Sequence, residues 1–335
     1  MKRSIQIIVS LAISAIAVWY SVADVEFGRF ARDFAGANVL WVLPMVFSAV
    51  LAMVLRAWRW RAILTTLGPL EKTPVFDATN IGFMGNMVLP LRAGEILKPL
   101  VVAQAGEISA PAAFASVALE RICDMLMLGI LGVVAVVLVP QGEFLRAQLP
   151  TLLAVVGGVL AILIVVVYFA DWLDQQLDWI ADRLPSFLGH IVREGGHGGL
   201  QALAGISQPR MFVRVMGLSL LVWLAAAGGF MAAAMALHID APMVALGIAT
   251  AVVVAVAVSV PSAPGFIGVF WVGSEIALSL FGVDKSMGFT FGVLNWIVQM
   301  VVICSMGLWS MSRLNLSLSD LRRSVQSDKS DAEPG

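Results

Sequence analysis

Eight long apolar stretches dominate the chain, at residues 5–22, 38–55, 113–139, 152–169, 212–237, 243–260, 266–281 and 287–311. A bilayer core about 30 Å thick needs about 20 apolar residues per crossing helix. The pattern therefore predicts an all-α, polytopic integral membrane bundle with about eight transmembrane helices in one membrane domain, 1–312, and a polar, disordered cytoplasmic tail at 313–335. Between the fourth and fifth stretches, Leu173, Leu177, Ile180, Leu184, Phe187 and Ile191 recur every three or four positions. That period predicts one amphipathic interfacial helix over 171–191, with Asp171, Asp174, Asp178 and Asp182 on its solvated face. Gly195, Gly196, Gly198 and Gly199 around His197 read as a flexible joint after it.

Composition supports the membrane reading. The chain is 60% hydrophobic and 13% charged, with mean hydropathy +0.92, whereas soluble domains carry roughly 25% charged residues. Net charge is −1, which argues against a nucleic-acid partner. His190, His197 and His238 are scattered, and Cys123 and Cys304 lie alone in apolar runs. The spacing suggests no metal, cofactor or disulfide framework. With the N-terminus inside, all Lys and Arg except Arg29, Arg32, Arg146 and Lys285 fall on the inner side or its approaches. Both termini are then expected in the cytoplasm. The first stretch reads as a retained signal anchor, although Ser21-Val22-Ala23 also resembles a processing site. The basic, Trp-rich run from Arg56 to Arg61 reads as an interface anchor or as a contact to anionic headgroups.

Three places break the apolar pattern in ways that suggest a site. In 80–98, Gly82, Gly85, Asn86 and Pro90 interrupt an apolar run, and Arg92, Glu95 and Lys98 follow at helical spacing. Proline disfavours helix at the residue before it, so a re-entrant hairpin with its tip near Pro90 is one reading; a cytoplasmic loop followed by a surface helix is the other. In 118–124, Glu120 and Asp124 are one helical turn apart, with Arg121 beside them. Charges at the centre of a membrane helix cost roughly 2.5–3.5 kcal/mol each and need partners or water. Arg92 or Lys98 are expected to neutralise the acids, and Arg121 to pair with Glu95; the wet end of a helix is the alternative. In 259–268, Pro261, Pro264, Gly265 and Gly268 separate apolar runs without any charge. This fits a broken or re-entrant segment with amides free for an anion, or a tight turn. One such break in each half of a membrane chain points to a transport site between the halves.

The sequences NMVLPLRAGEILK, ERICDM and PSAPGFIG, in this order, resemble the flippase-like family typified by the transmembrane region of lysylphosphatidylglycerol synthase, without its aminoacyl-transferase domain. The resemblance covers most of the chain. It implies a lipid flippase or transporter of the inner membrane, in a family associated with aminoacylated phospholipids, hopanoids and polyprenyl-linked sugars. It also implies Asn86, Pro90, Arg92, Glu95, Glu120, Arg121, Asp124, Pro264, Gly265 and Gly268 as functional positions, to which the charge pattern adds Lys98. The chain departs from the family at Phe266, where many relatives carry glycine, and at Trp271, near which they carry a polar residue; here Glu275 comes one turn later. The expected partner is a membrane lipid, with lipid-biosynthesis enzymes as further candidates. A membrane-embedded enzyme modifying lipid headgroups and an accessory subunit of a lipid-biosynthesis complex are the rival readings. There is no GxxxxGK[ST] motif.

Overall fold

The computed structural model describes residues 2–139 and 143–316. The expected tail lies, from residue 317 onward, outside the described residues. Those residues form α-helices joined by short turns, with no strand among them. In chain order the helices are α1 (Lys2–Val22), α2 (Phe27–Ala35), α3 (Val42–Leu64), α4 (Val75–Val88), α5 (Gly94–Ala103), α6 (Ala110–Leu138), α7 (Glu143–Tyr168), α8 (Ala170–Ala181), α9 (Ser186–Ser207), α10 (Pro209–Ala236), α11 (Met243–Ser259), α12 (Val269–Ser279) and α13 (Lys285–Arg313).

Each of the eight apolar stretches falls on a helix, but the helices are not equivalent. Val39–Leu64, Ala110–Leu138, Pro209–Ala236 and Lys285–Arg313 are long and apolar enough to cross a bilayer. Ile8–Val22 and Phe27–Ala35 make a fifth span only if a pair bent by 85° is counted as one. Met243–Ser259 and Pro264–Ser279 are apolar but shorter. Large side chains such as Leu43, Phe47, Val137 and Val213 point outward, a belt that water would not tolerate and lipid would.

The short helices pair into two hairpins. α4 stops at Val88 because Pro90 forces Leu89 into an extended conformation (φ −102°, ψ 149°). The chain turns through Leu91 and Arg92 in the left-handed region (φ 59° and 53°) and restarts as α5. Gly94 packs so tightly on α4 that a Cβ there would lie 1.7 Å from the Gly82 carbonyl oxygen. Small residues permit this close helix approach. α11 and α12 make the second hairpin, with Gly273 against Val254 and Ala257. Its turn passes through Gly265 (φ 71°), Phe266 (φ 58°) and Gly268 (φ 82°). A Cβ on Gly268 would lie 2.8 Å from the Val18 amide nitrogen of α1, so that position needs glycine for space as well as for φ.

α13 sets the hairpins against each other. Its first turns carry Gly288 and Gly292, which lie on Glu275, Ser274 and Trp271 of α12. Its last turns carry Gly307, on Met84 of α4, and Ser310, whose hydroxyl accepts from Asn80 Nδ2 at 2.9 Å. Midway between them, Trp296 Nε1 donates to the Gly265 carbonyl at 2.6 Å. The hairpins therefore enter from opposite ends of α13 and meet near its middle.

Outside the hairpins, the 171–191 stretch is two helices rather than one. α8 ends at Ala181, and Pro185 starts α9. The glycines at 195–199 are no joint, since they lie inside α9. A Cβ on Gly198 would be 2.7 Å from Ala112 Cβ at the start of α6, and one on Gly196 would be 2.5 Å from Leu177 of α8. Glycine here lets three helices approach. The acidic face of α8 is also engaged: Arg193 and His197 of α9 bind Asp178, Asp182 and Asp174.

Candidate functional site

α6 carries Glu120 and Asp124 one turn apart, so both carboxylates face one side. That side meets α3, which presents Arg59. Arg59 Nη2 lies 2.8 Å from Glu120 Oε1, and Nη1 lies 2.6 Å from Asp124 Oδ1. Nη1 also donates to Ser219 Oγ of α10 at 3.2 Å. The second oxygen of Glu120 accepts from the Lys98 ammonium, brought in by α5. Lys98 Nζ lies 4.1 Å from the centroid of the Trp60 ring, and Trp60 Nε1 donates to Ser116 Oγ at 3.0 Å. Arg59 and Glu120 are fully buried. Four helices thus enclose two cations and two anions. Pairing of this kind is what makes burial of the charges tolerable.

The sequence reading placed these charges only in part. Lys98 does neutralise Glu120. Arg92 does not reach the acids; it lies 3.9 Å from Glu95 at the edge of the bundle. The expected Arg121–Glu95 pair does not form. Arg121 instead lies 3.6 Å from Asp124 Oδ2 on its own helix, with 38% of its side chain exposed. The reason is geometric: Arg92 and Glu95 share the first turn after the break, away from α6, while Lys98 is one turn further and faces inward. Arg59, the centre of the cluster, lies in the run whose sequence suggests an interface anchor or a contact to anionic headgroups. Nothing near it in sequence signals burial; the signal is the pair of acids some sixty residues later.

The hairpin turns form a second group. Arg92 Nη2 donates to the Val258 carbonyl across the junction, and its guanidinium lies 5.5 Å from the Phe266 ring centroid. Gly265 faces the Met87 carbonyl, so the turns after Pro90 and after Pro264 touch. Asn86 sits where Gly94 crosses α4, and its Oδ1 is buried without a hydrogen-bond partner among the described residues. The Ala263 amide before Pro264 donates to Ser14 Oγ of α1 at 2.7 Å. Of the positions singled out in the sequence, Lys98, Glu120 and Asp124 meet at Arg59, with Arg121 at their margin. Pro90, Arg92, Glu95, Pro264 and Gly265 gather at the junction. Asn86 lies on the α4–α5 contact, and Gly268 on α1.

Between these groups lies a cavity of about 190 Å³, bounded by α3, α4, α10, α11, α12, α13 and the second turn. Its wall is mostly apolar, with Met45, Phe83 and Phe266 among its residues, and Asn295 and Gln299 supply amides. Arg56 enters it from α3, one turn before Arg59, with its guanidinium 4.8 Å from the Phe83 centroid. Among the described residues no carboxylate lies within ion-pair distance of Arg56. An apolar chamber with one unmatched cation suits a molecule with an anionic head and a hydrocarbon tail.

Comparison with known proteins agrees with this architecture. The chain is 29% identical over 355 aligned positions to the protein named Glycosyltransferase AglD of Haloferax volcanii, an alignment covering 95% of this chain and 56% of that protein. The chain thus spans little more than half the length of that relative. No solved structure matches it. Residues 7–311 match the family described as the lysylphosphatidylglycerol synthase TM region. The chain is a membrane protein that belongs to this lysylphosphatidylglycerol synthase transmembrane-region family.

Proposed function

We propose that this protein moves an amphipathic lipid with an anionic headgroup between the leaflets of the inner membrane, with both termini in the cytoplasm. The observation that carries the reading is the unmatched Arg56 guanidinium inside an apolar cavity at the meeting point of two opposed hairpins. The headgroup would pair with Arg56 while the hydrocarbon lies along the apolar wall or out between helices. The Arg59 cluster would hold the α3, α5 and α6 walls together beside it. Separation of the turns at Arg92 would open the cavity towards either side in alternation. Lys98, which the charge pattern adds to the functional positions, is already committed to Glu120. Lipid-biosynthesis enzymes that make the cargo are the expected partners.

The test uses purified protein in phosphatidylcholine vesicles containing fluorescent phosphatidylglycerol, with dithionite quenching of the outer leaflet. Wild type should expose inner-leaflet label. Arg56→Ala should abolish transfer with helicity retained, as should Arg92→Ala and Glu120→Gln. Full transfer in all three variants would sink the site assignment. The name of the archaeal relative favours a second reading, a membrane enzyme that modifies lipid headgroups. Its test is turnover of a nucleotide-sugar donor on a polyprenyl phosphate; acid–base work would fall to the Glu120–Asp124 cluster.

A further inference from the structure

Glu275 lies outside both groups described above. It sits on α12, the outer arm of the second hairpin, and is 6% exposed. Both carboxyl oxygens are buried without a hydrogen-bond partner among the described residues. One turn earlier, Trp271 Nε1 is buried and unpartnered as well. Among the described residues no salt bridge reaches Glu275, in contrast with Glu120 and Asp124, each of which meets a cation.

Its surroundings offer little to an ionised carboxylate. α11 has no ionisable residue along Met243–Ser259. α13 presses on Glu275 with Gly288, whose Cβ would lie 3.1 Å from Glu275 Cα. The charged group on α13 that faces Glu275 is Lys285, at the helix start. Its ammonium is already held by the Tyr20 and Ala23 carbonyls at 2.6 and 2.8 Å, with Asp24 at 3.9 Å. From α1, the Ser21 hydroxyl faces Glu275 closely enough to ease a carboxylate slightly, but outside hydrogen-bond geometry. From α2, Arg29 is taken by Asp33 and Asp284. A lone carboxylate here would cost several kcal/mol. In this arrangement burial without an ion-pair partner favours the neutral acid, and a shift of α12 that brings water or Lys285 to it favours ionisation.

That shift is mechanically tied to the hairpin turn. Trp271 stands edge-on to Trp296 at 5.9 Å between centroids, and Trp296 holds the Gly265 carbonyl. We propose that Glu275 is a proton-binding site coupled to movement of the second hairpin. Protonated, it packs against Gly288 and Ser21 and keeps the turn seated on Trp296. When α12 shifts, the carboxyl releases its proton towards the face where α1 ends and α13 begins. One proton is bound and released per cycle, the carboxyl passing between COOH and COO⁻. The coupling rests on the transport reading; the proton site does not.

Two measurements separate them. Infrared spectra of the reconstituted protein at neutral pH should contain a protonated-carboxyl C=O band that Glu275→Gln removes and Glu275→Asp shifts. Absence of the band in wild type, or its persistence in Glu275→Gln, overturns the proton site whatever the cargo. In vesicles with fluorescent phosphatidylglycerol, a gradient of about one pH unit should bias the wild-type leaflet distribution by up to about tenfold, and Glu275→Gln should abolish the bias. A bias that survives in Glu275→Gln overturns the coupling. Absence of any wild-type lipid movement, with the infrared band present, overturns the transport reading and the coupling with it, and leaves the proton site intact.

Discussion

Arg59 is the residue on which the lower half of the bundle depends. Its guanidinium meets Glu120 and Asp124 on two edges, with Ser219 as a further acceptor. Arg59→Met leaves Glu120 with only the Lys98 ammonium and Asp124 with only the partly exposed Arg121 guanidinium at 3.6 Å. Loss of one partner from a buried pair costs roughly 3–5 kcal/mol. We expect a clear fall in the thermal unfolding midpoint in detergent. Arg59→Lys should not restore it, because an ammonium cannot bridge both acids with a planar fork. Combining Arg59→Met with Glu120→Gln and Asp124→Asn should recover much of the loss. The sequence disclosed half of this cluster. Glu120 and Asp124 stood out because charge inside an apolar helix needs a reason. Arg59 did not, because Arg beside Trp at a helix end has an ordinary interfacial explanation. Choosing between the two requires knowing that α6 packs against α3, and no local pattern carries that.

At the scale of elements, the hairpins were readable and the helix contacts were not. Pro90 and the glycines around it marked a break, and Pro264, Gly265 and Gly268 marked another. What periodicity could not supply was the approach distance: Gly94 is a spacer for α4, much as Gly196 and Gly198 are spacers for α8 and α6. A glycine that lets helices touch and a glycine that loosens a chain look alike until the neighbour is known. Gly94→Ala should therefore force α5 off α4, with lower yield and a lower unfolding midpoint. Gly217→Ala, in an open stretch of α10 with nothing within 4 Å, should be neutral or stabilising by up to about 1 kcal/mol. The α8–α9 pair adds a pH dependence away from the apolar spans. Partial burial works against protonation of His197, but its hydrogen bonds to Asp178 and Asp174 outweigh this and raise its pKa above the ordinary histidine value. A raised folded-state pKa means the stabilisation is complete below the unfolded value and is lost as pH rises through the folded one. Protection of α8 and α9 amides, corrected for the intrinsic pH dependence of exchange, should fall across that window in wild type and stay flat in His197→Gln.

For the whole molecule, the prediction concerns orientation. Arg61 in the last turn of α3 and Lys72 after it, with the basic residues on α9 and at the start of α10, lie on the side from which α4 and α5 enter; Arg29 and Lys285 lie on the other. Positive charge is retained on the cytoplasmic side. In a background with Cys123 and Cys304 replaced, Glu71→Cys should be labelled by a membrane-impermeant maleimide only after the cells are opened. Glu26→Cys should be labelled in intact cells. The reverse pattern would invert the assignment.

The two turns that meet beside Trp296 carry a consequence for how such a protein is dissected. Where a helix stops, its last carbonyls and first amides are released, and here both hairpins break where their turns touch. These dipoles belong to the main chain, so an alanine scan leaves them in place and will understate what this layer contributes. Replacing single amides with esters at the Ala263 or Gly265 positions by semisynthesis would change what side-chain substitution cannot.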